Sequence, residues 1–206
     1  MKVVLCEGPS DQAILAALIK RSNLDITVES YGGKDRLKKH LAWVKARSHD
    51  PKYPKRPTYH EITTLAVTRD ANGDREGAFT SVRATLANMD FVNLPAPNNE
   101  FSGEAPGTRE SKRTGIFIVG HEGTGVIEDL CIASLRERDR PKFSCVGNYF
   151  ACIEQAEPKT KARAWVWMAS DPKFDFSAHS VMGEGEGYWD LDHPAFRPLK
   201  QFLMAM

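Results

Sequence analysis

Lys2-Val3-Val4-Leu5-Cys6-Glu7-Gly8-Pro9-Ser10, at the head of the chain, is a short apolar run that stops at a carboxylate and turns at a glycine and a proline. The run predicts a buried strand over Lys2 to Cys6. Ser10 then reads as the N-cap of a helix whose apolar stripe is Ile14, Leu15, Leu18 and Ile19. Strand, tight glycine turn and helix in that order are the start of an α/β unit. The rest of the sequence is consistent with that start.

Ile26 to Ser30 is a second strand, stopped by Gly32-Gly33, and a basic amphipathic helix with Leu37, Leu41 and Val44 inward follows it. Residues 48 to 60 carry three prolines and read as a loop. Ile62 to Thr68 is the third strand, and the helix after it runs from about Arg75 to Asn88. Gly115 to Val119 is the fourth strand and leads into a helix over Gly125 to Leu135. The alternation predicts an α/β fold: a mostly parallel sheet with right-handed crossovers and helices on both faces. Residues 1–140 are read as the core, with 90–113 as a flexible excursion rich in Pro, Asn, Gly and Glu. Residues 141–206 are read as a helical C-terminal extension packed on that core, with helices over Tyr149 to Gln155, Thr160 to Ala169 and Asp192 to Met206.

Composition narrows the class. The chain has 206 residues, is 41% hydrophobic, and carries 28 Lys and Arg against 27 Asp and Glu. The longest strongly apolar stretch, Ile14 to Ile19, is far short of a membrane span, and no signal-peptide core precedes the first strand. The expected setting is the cytoplasm. The four cysteines match neither a zinc ribbon nor a redox CxxC pair, so all four are expected to be buried apolar thiols. Charge is uneven along the chain. Between Lys34 and Arg56 there are nine Lys and Arg against Asp35 and Asp50, with His40, Trp43, His49 and Tyr53 interleaved. Lys34, Lys38, Lys39 and Lys45 are the candidate nucleic-acid contacts in that stretch, the alternative being an ordinary solvated helix face.

Acidic residues gather where the strands are expected to end. Glu7 closes the first strand. Asp70, Asn72 and Asp74 follow the third at alternate positions of a turn. Glu128 and Asp129 open the helix after the fourth. In a parallel sheet these strand ends meet along one edge, the edge at which open α/β folds bind ligands. Carboxylates collected there repel one another unless a cation neutralises them, which points to a divalent metal. Each cluster also has an ordinary explanation: an ion pair for Glu7, turn chemistry for residues 70–74, and helix-dipole acids for 128 and 129.

The order of these motifs resembles the TOPRIM domain of topoisomerases, bacterial primases, recombination-repair proteins and the overcoming-lysogenization-defect nucleases. It resembles in particular small bacterial TOPRIM-like proteins of unknown function. The likeness is carried by Leu5-Cys6-Glu7-Gly8-Pro9-Ser10-Asp11, Gly32-Gly33-Lys34-Asp35, residues 67–74, residues 125–130 and residues 187–199. It implies a TOPRIM-like sheet flanked by helices, with Mg²⁺ or Mn²⁺ at the acidic edge and chemistry on phosphodiesters. By that resemblance Glu7 is the general acid/base, Asp70 and Asn72 take the metal-binding Asp-x-Asp positions, and Glu128 and Asp129 complete the metal site. Asn72 departs from the pattern, which has Asp there, and Asp74 is the residue able to compensate.

Three functions stay open at this point. The first is a metal-dependent nuclease, which by analogy works with a separate ATPase. The second is a non-catalytic module of the same fold that binds nucleic acid, a nucleotide or a protein partner. The third is a hydrolase of small phosphoesters, with His121 and Glu122 moving protons. An exposed strand edge would also allow a homodimer.

Overall fold

The computed structural model describes residues 1–47, 57–91, 94–96, 101, 112–120, 125–137, 139–155, 158–171 and 188–206. Four strands, β1 (Lys2–Cys6), β2 (Ile26–Ser30), β3 (Thr64–Asp70) and β4 (Arg113–Val119), form one sheet in the order β2-β1-β3-β4, with every neighbouring pair parallel. Seven helices flank it among the described residues: α1 (Pro9–Arg21), α2 (Leu37–Ala46), α3 (Arg75–Ala87), α4 (Ile127–Ala133), α5 (Arg140–Cys152), α6 (Thr160–Ala169) and α7 (Arg197–Ala205). None of the helices is long and apolar enough to cross a membrane.

Strand side chains alternate between two cores, as the pleat requires. Val4, Cys6, Ala66, Phe117 and Val119 point to one face, where α1, α4, α5, α6 and α7 pack. Val3, Leu5, Leu65, Val67, Ile116 and Ile118 point to the other, under α2 and α3. Both faces of the sheet are therefore covered, which is why the strands read as apolar runs and not as polar-apolar alternation. Each fully buried Leu, Ile or Phe contributes on the order of 1.5–3 kcal/mol of transfer free energy. The residues after 140 share the first core directly: Phe202 of α7 lies 5.1 Å, ring to ring, from Phe117 of β4 and stacks at 4.7 Å on Phe101.

The order β2-β1-β3-β4 has a topological consequence. The chain leaves β1 through α1 toward β2, and leaves β3 through α3 toward β4, in the opposite direction and over the opposite face. A crevice opens at such a switch, between the C-terminal ends of β1 and β3.

Several boundaries differ from the sequence reading. β3 runs to Asp70, not Thr68, because β4 continues alongside it and pairs Asp70 with Val119. The helix expected from Tyr149 begins at Arg140. Pro141 sits in its first turn, where the missing N–H is no loss, and Phe143, Val146 and Phe150 make its buried stripe. The closing helix is Arg197–Ala205, entered through a 3-10 turn at Pro194–Phe196 with the His193 side chain as its cap. Cys6 and Cys131 are buried, but Cys145 and Cys152 are exposed, because they lie on the side of α5 away from that stripe. Most of the 90–113 excursion lies outside the described residues, as do residues 48–56 of the proline loop. Phe101 is described and forms an antiparallel bridge with Gly115.

Candidate functional site

The register brings the first two acids together. Leu5 pairs with Val67, so Glu7, two residues beyond Leu5, reaches the edge beside Arg69 and Asp70. Asp70 is four residues beyond Ala66 and so points to the same face, the α1 side of the sheet. There it meets Asp11 from the first turn of α1 and Glu128 from the first turn of α4, and each of the two repels it.

Local structure explains how these side chains are held. Gly8 precedes α1, and its amide donates to Asp11 Oδ2 at 2.8 Å, fixing the carboxylate over the start of the helix. Across the sheet, Ala71 N donates to Gly125 O at 2.7 Å, so the chain before α4 is laced to the end of β3. Gly125 is required for that approach. Its φ is +70°, and a Cβ there would lie 2.6 Å from Ala71 Cβ. With α4 drawn in this close, Ile127 N donates to Asp70 Oδ1 at 3.1 Å and Glu128 is 2% exposed.

The electrostatics are those of crowded carboxylates. Burial first, then repulsion from Asp11, Glu128 and Glu7, pushes Asp70 up to about 8, although the Ile127 amide works against this. Asp11 is raised to about 6 by burial and by Glu128. Glu7 is raised by burial, against the lowering influence of Arg69, Lys161 and Lys34. Among the described residues, two buried oxygens of this edge, Glu7 Oε2 and Glu128 Oε1, have no hydrogen-bond partner, as is also true of Glu29 Oε2 on β2. Lys161 Nζ stands 3.7 Å from the Glu128 oxygen. Beneath the edge, the buried Tyr31 hydroxyl donates to Thr68 O, and burial raises its phenol so that it stays protonated.

Among the described residues, no three His, Cys, Asp or Glu side chains stand together as a ready metal cage. The donor set nevertheless fits a hard divalent cation, which takes carboxylate oxygens. Glu7 Oε2 and Glu128 Oε1 are buried and accept no hydrogen bond, although Lys161 Nζ stands 3.7 Å from the second, and Asp70 lies between their elements.

The other predicted acids are used elsewhere. Asp74 is the N-cap of α3, with Oδ1 accepting from Gly77 N at 2.8 Å. Asp129 Oδ2 accepts from Val126 N at 3.0 Å and so caps α4. Asn72 occupies the turn after β3 with φ +48°, a left-handed position that Asn tolerates. Asp11, Arg69 and Lys161 belong to the edge and were not singled out from sequence. For Asp11 a signal existed: it stands four residues after Glu7, across a tight turn into a helix. For Lys161 there was none, since its place depends on how α6 packs.

The basic candidates divide. Lys34 lies beside the edge and lowers Glu7. Lys38 and Lys39 are exposed on α2, whose N-terminus faces that edge. Lys45 is some 10 Å further along the helix, at 1.5 Å per residue. It is docked on α3's end, donating to Met89 O at 2.8 Å with Asp90 at 3.5 Å. His121 and Glu122 lie outside the described residues.

No curated protein and no solved structure matches the chain. A family model described as "Protein of unknown function (DUF3226)" matches it over residues 1–206. The acidic switch-point edge is thus the edge of a protein that belongs, over its whole length, to the DUF3226 family.

Proposed function

We propose that the protein is a Mg²⁺- or Mn²⁺-dependent nuclease of TOPRIM type, or a closely related phosphodiester-processing enzyme, with Glu7, Asp70 and Glu128 as the cation's ligands. The observation that carries this reading is the gathering of Glu7, Asp11, Asp70 and Glu128 at one switch point, with buried oxygens of Glu7 and Glu128 that accept no hydrogen bond. Four carboxyls from three separate stretches of chain, Asp11 and Glu128 buried and Glu7 and Asp70 half-buried, are costly to crowd in their ionised form unless a cation compensates them. When bound, the cation would polarise a phosphoryl oxygen and stabilise charge developing at phosphorus.

The chain's own residues supply the rest. Glu7 has a raised proton affinity and an oxygen that accepts no hydrogen bond at the switch-point edge, the properties of a group that exchanges a proton with a leaving or attacking oxygen. Lys34 and Arg69 flank it and provide positive charge for the non-bridging oxygens. The Ile127 amide orients Asp70, and the Gly8 amide holds Asp11 Oδ2, from where that carboxylate adds to the negative field at Asp70. Lys38 and Lys39 extend the positive surface away from the edge along α2, toward a nucleic-acid backbone. A separate ATPase partner is part of this reading by resemblance to the overcoming-lysogenization-defect nucleases.

The test is calorimetric titration of Mn²⁺ into wild type, Glu7→Gln, Asp70→Ala and Glu128→Gln, followed by a cleavage screen on single- and double-stranded DNA and RNA. Binding lost in all three variants, with metal-dependent cleavage lost in Glu7→Gln, is the expected result. Failure of wild type to bind Mn²⁺, alone or with a non-hydrolysable oligonucleotide, sinks the enzyme. Asn72, Asp74 and Asp129 favour a second reading, because the first carries no charge and the other two are spent on helix caps. In that reading the fold is a non-catalytic module binding nucleic acid or a partner. Salt-sensitive oligonucleotide binding that survives Asp70→Ala but falls on Lys38→Glu with Lys39→Glu would identify it.

A further inference from the structure

Glu128 is 2% exposed, and its Oε1 accepts no hydrogen bond. The cation set against it comes from the C-terminal third of the chain: Lys161 of α6, with Nζ 3.7 Å from that oxygen. This separation is within ion-pair range but beyond the 2.7–3.2 Å of a formed N–H···O bond. The two partners differ in freedom. Glu128 is fixed in the first turn of α4, whereas the Lys161 side chain is 61% exposed and reaches the edge from solvent. Its backbone is nonetheless well placed, because Ala164 and Met168 anchor α6 in the core that also holds Ile127 and Cys131 of α4. The same ammonium acts on Glu7 across the edge.

We infer that Lys161 is the resident counter-ion of the acidic edge, and that a divalent cation taking Glu128 as a ligand has to displace it. This rests on the proposed metal site and adds its regulation. Two cations at one carboxylate repel, and the flexible, hydrated lysine is the one able to leave. α6 therefore tunes metal affinity without supplying a ligand. A pair whose cation is largely solvent-exposed contributes up to about 1 kcal/mol, which corresponds to an affinity penalty of roughly fivefold.

The experiment has a metal arm and a metal-free arm, both on the full chain. Mn²⁺ is titrated into wild type, Lys161→Met and Lys161→Arg. The expected result is binding about fivefold tighter in Lys161→Met, with Lys161→Arg close to wild type, on the exposed-pair magnitude above. Equal or weaker binding in Lys161→Met overturns the displacement. Without metal, melting temperatures are measured for Lys161→Met, Glu128→Gln and the double variant. A fall of about 2–4 °C in Lys161→Met that disappears in the Glu128→Gln background supports the counter-ion pairing. An equal fall in both backgrounds overturns it. Thermal coupling with no Mn²⁺ binding by any variant overturns the metal site and the displacement together, while upholding Lys161 as the counter-ion of Glu128.

Discussion

Two groups of buried charge lie on this sheet, and they are built in opposite ways. On the outer strand β2, Glu29 is 4% exposed and accepts from Arg47 Nη1 at 2.7 Å, while His40 Nε2 stands 3.4 Å away. The Arg47 guanidinium in turn covers the Trp43 ring at 4.9 Å. Burial alone would push Glu29 up, but His40 and Arg47 outweigh it and hold the carboxyl below its ordinary range. At the switch point, by contrast, Asp70 is surrounded by carboxylates and rises to about 8. A buried acid with its cation built in is architecture. At the switch point the lysine facing Glu128 is 61% exposed and 3.7 Å away, so the acids there hold no cation as closely as Glu29 holds Arg47.

The comparison can be broken by removing one partner from each group. Arg47→Met leaves the buried Glu29 with only His40 beside it, and a loss of up to about 3–5 kcal/mol in denaturant unfolding is expected. A loss under 1 kcal/mol would mean the pair is not buried as described. Asp70→Asn should do the reverse and stabilise the metal-free protein by about 1–3 kcal/mol at pH 8, through relief of like-charge repulsion.

The pH dependence carries opposite signs at the two places. Folded Asp70 keeps its proton to about 8, whereas its ordinary value is 3.8, so the folded state binds a proton that the unfolded chain has lost. That contribution to stability is lost as pH rises across this window, and Asp70→Asn should remove the decline in a series of melts. Glu29 is depressed, so its contribution is present above the ordinary 4.5 and is lost as pH falls through the folded value. Saturating Mn²⁺, at 100 times its dissociation constant, should stabilise wild type by about 2.7 kcal/mol and Asp70→Asn by much less.

Smaller effects sharpen the boundary between site and scaffold. Asp74→Ala removes an N-cap and should cost about 1 kcal/mol, with Mn²⁺ affinity unchanged. A loss of metal binding would return Asp74 to the site. Lys38→Ala with Lys39→Ala should move stability by no more than about 0.5 kcal/mol. Any larger effect of that double variant should appear only in salt-dependent oligonucleotide binding.

The strands and most helices were legible because burial on both sheet faces leaves apolar runs of strand length between glycine turns. β1 and β2 are read to the residue, and Glu7, Asp70 and Glu128 were legible as strand-end acids. What sequence could not resolve was the use of each acid. Asp74 and Asp129 have the same residue type and setting as Asp70, and only the approach of Gly77 and Val126 amides shows that they are caps. Lys45 read as part of a basic stripe, yet a neighbouring helix end and the Tyr59 and Phe91 rings claim it. The helix read from Tyr149 begins nine residues earlier, at Arg140, with Pro141 in its first turn, where a proline is tolerated.

Phe202 against Phe117 has a consequence for the order in which the protein can mature on the ribosome. β1 must wait for β3, some sixty residues later, and the α1 face of the sheet stays open until residues 196–206 arrive to cover it. Phe196, Leu199, Phe202, Leu203 and Met206 are all buried there. A nascent chain stalled before these residues presents a greasy, half-roofed sheet, the kind of surface that chaperones hold and proteases find. The acidic edge borders that same core through Cys6, Ile127 and Cys131, so its setting rests in part on the packing of the last helix.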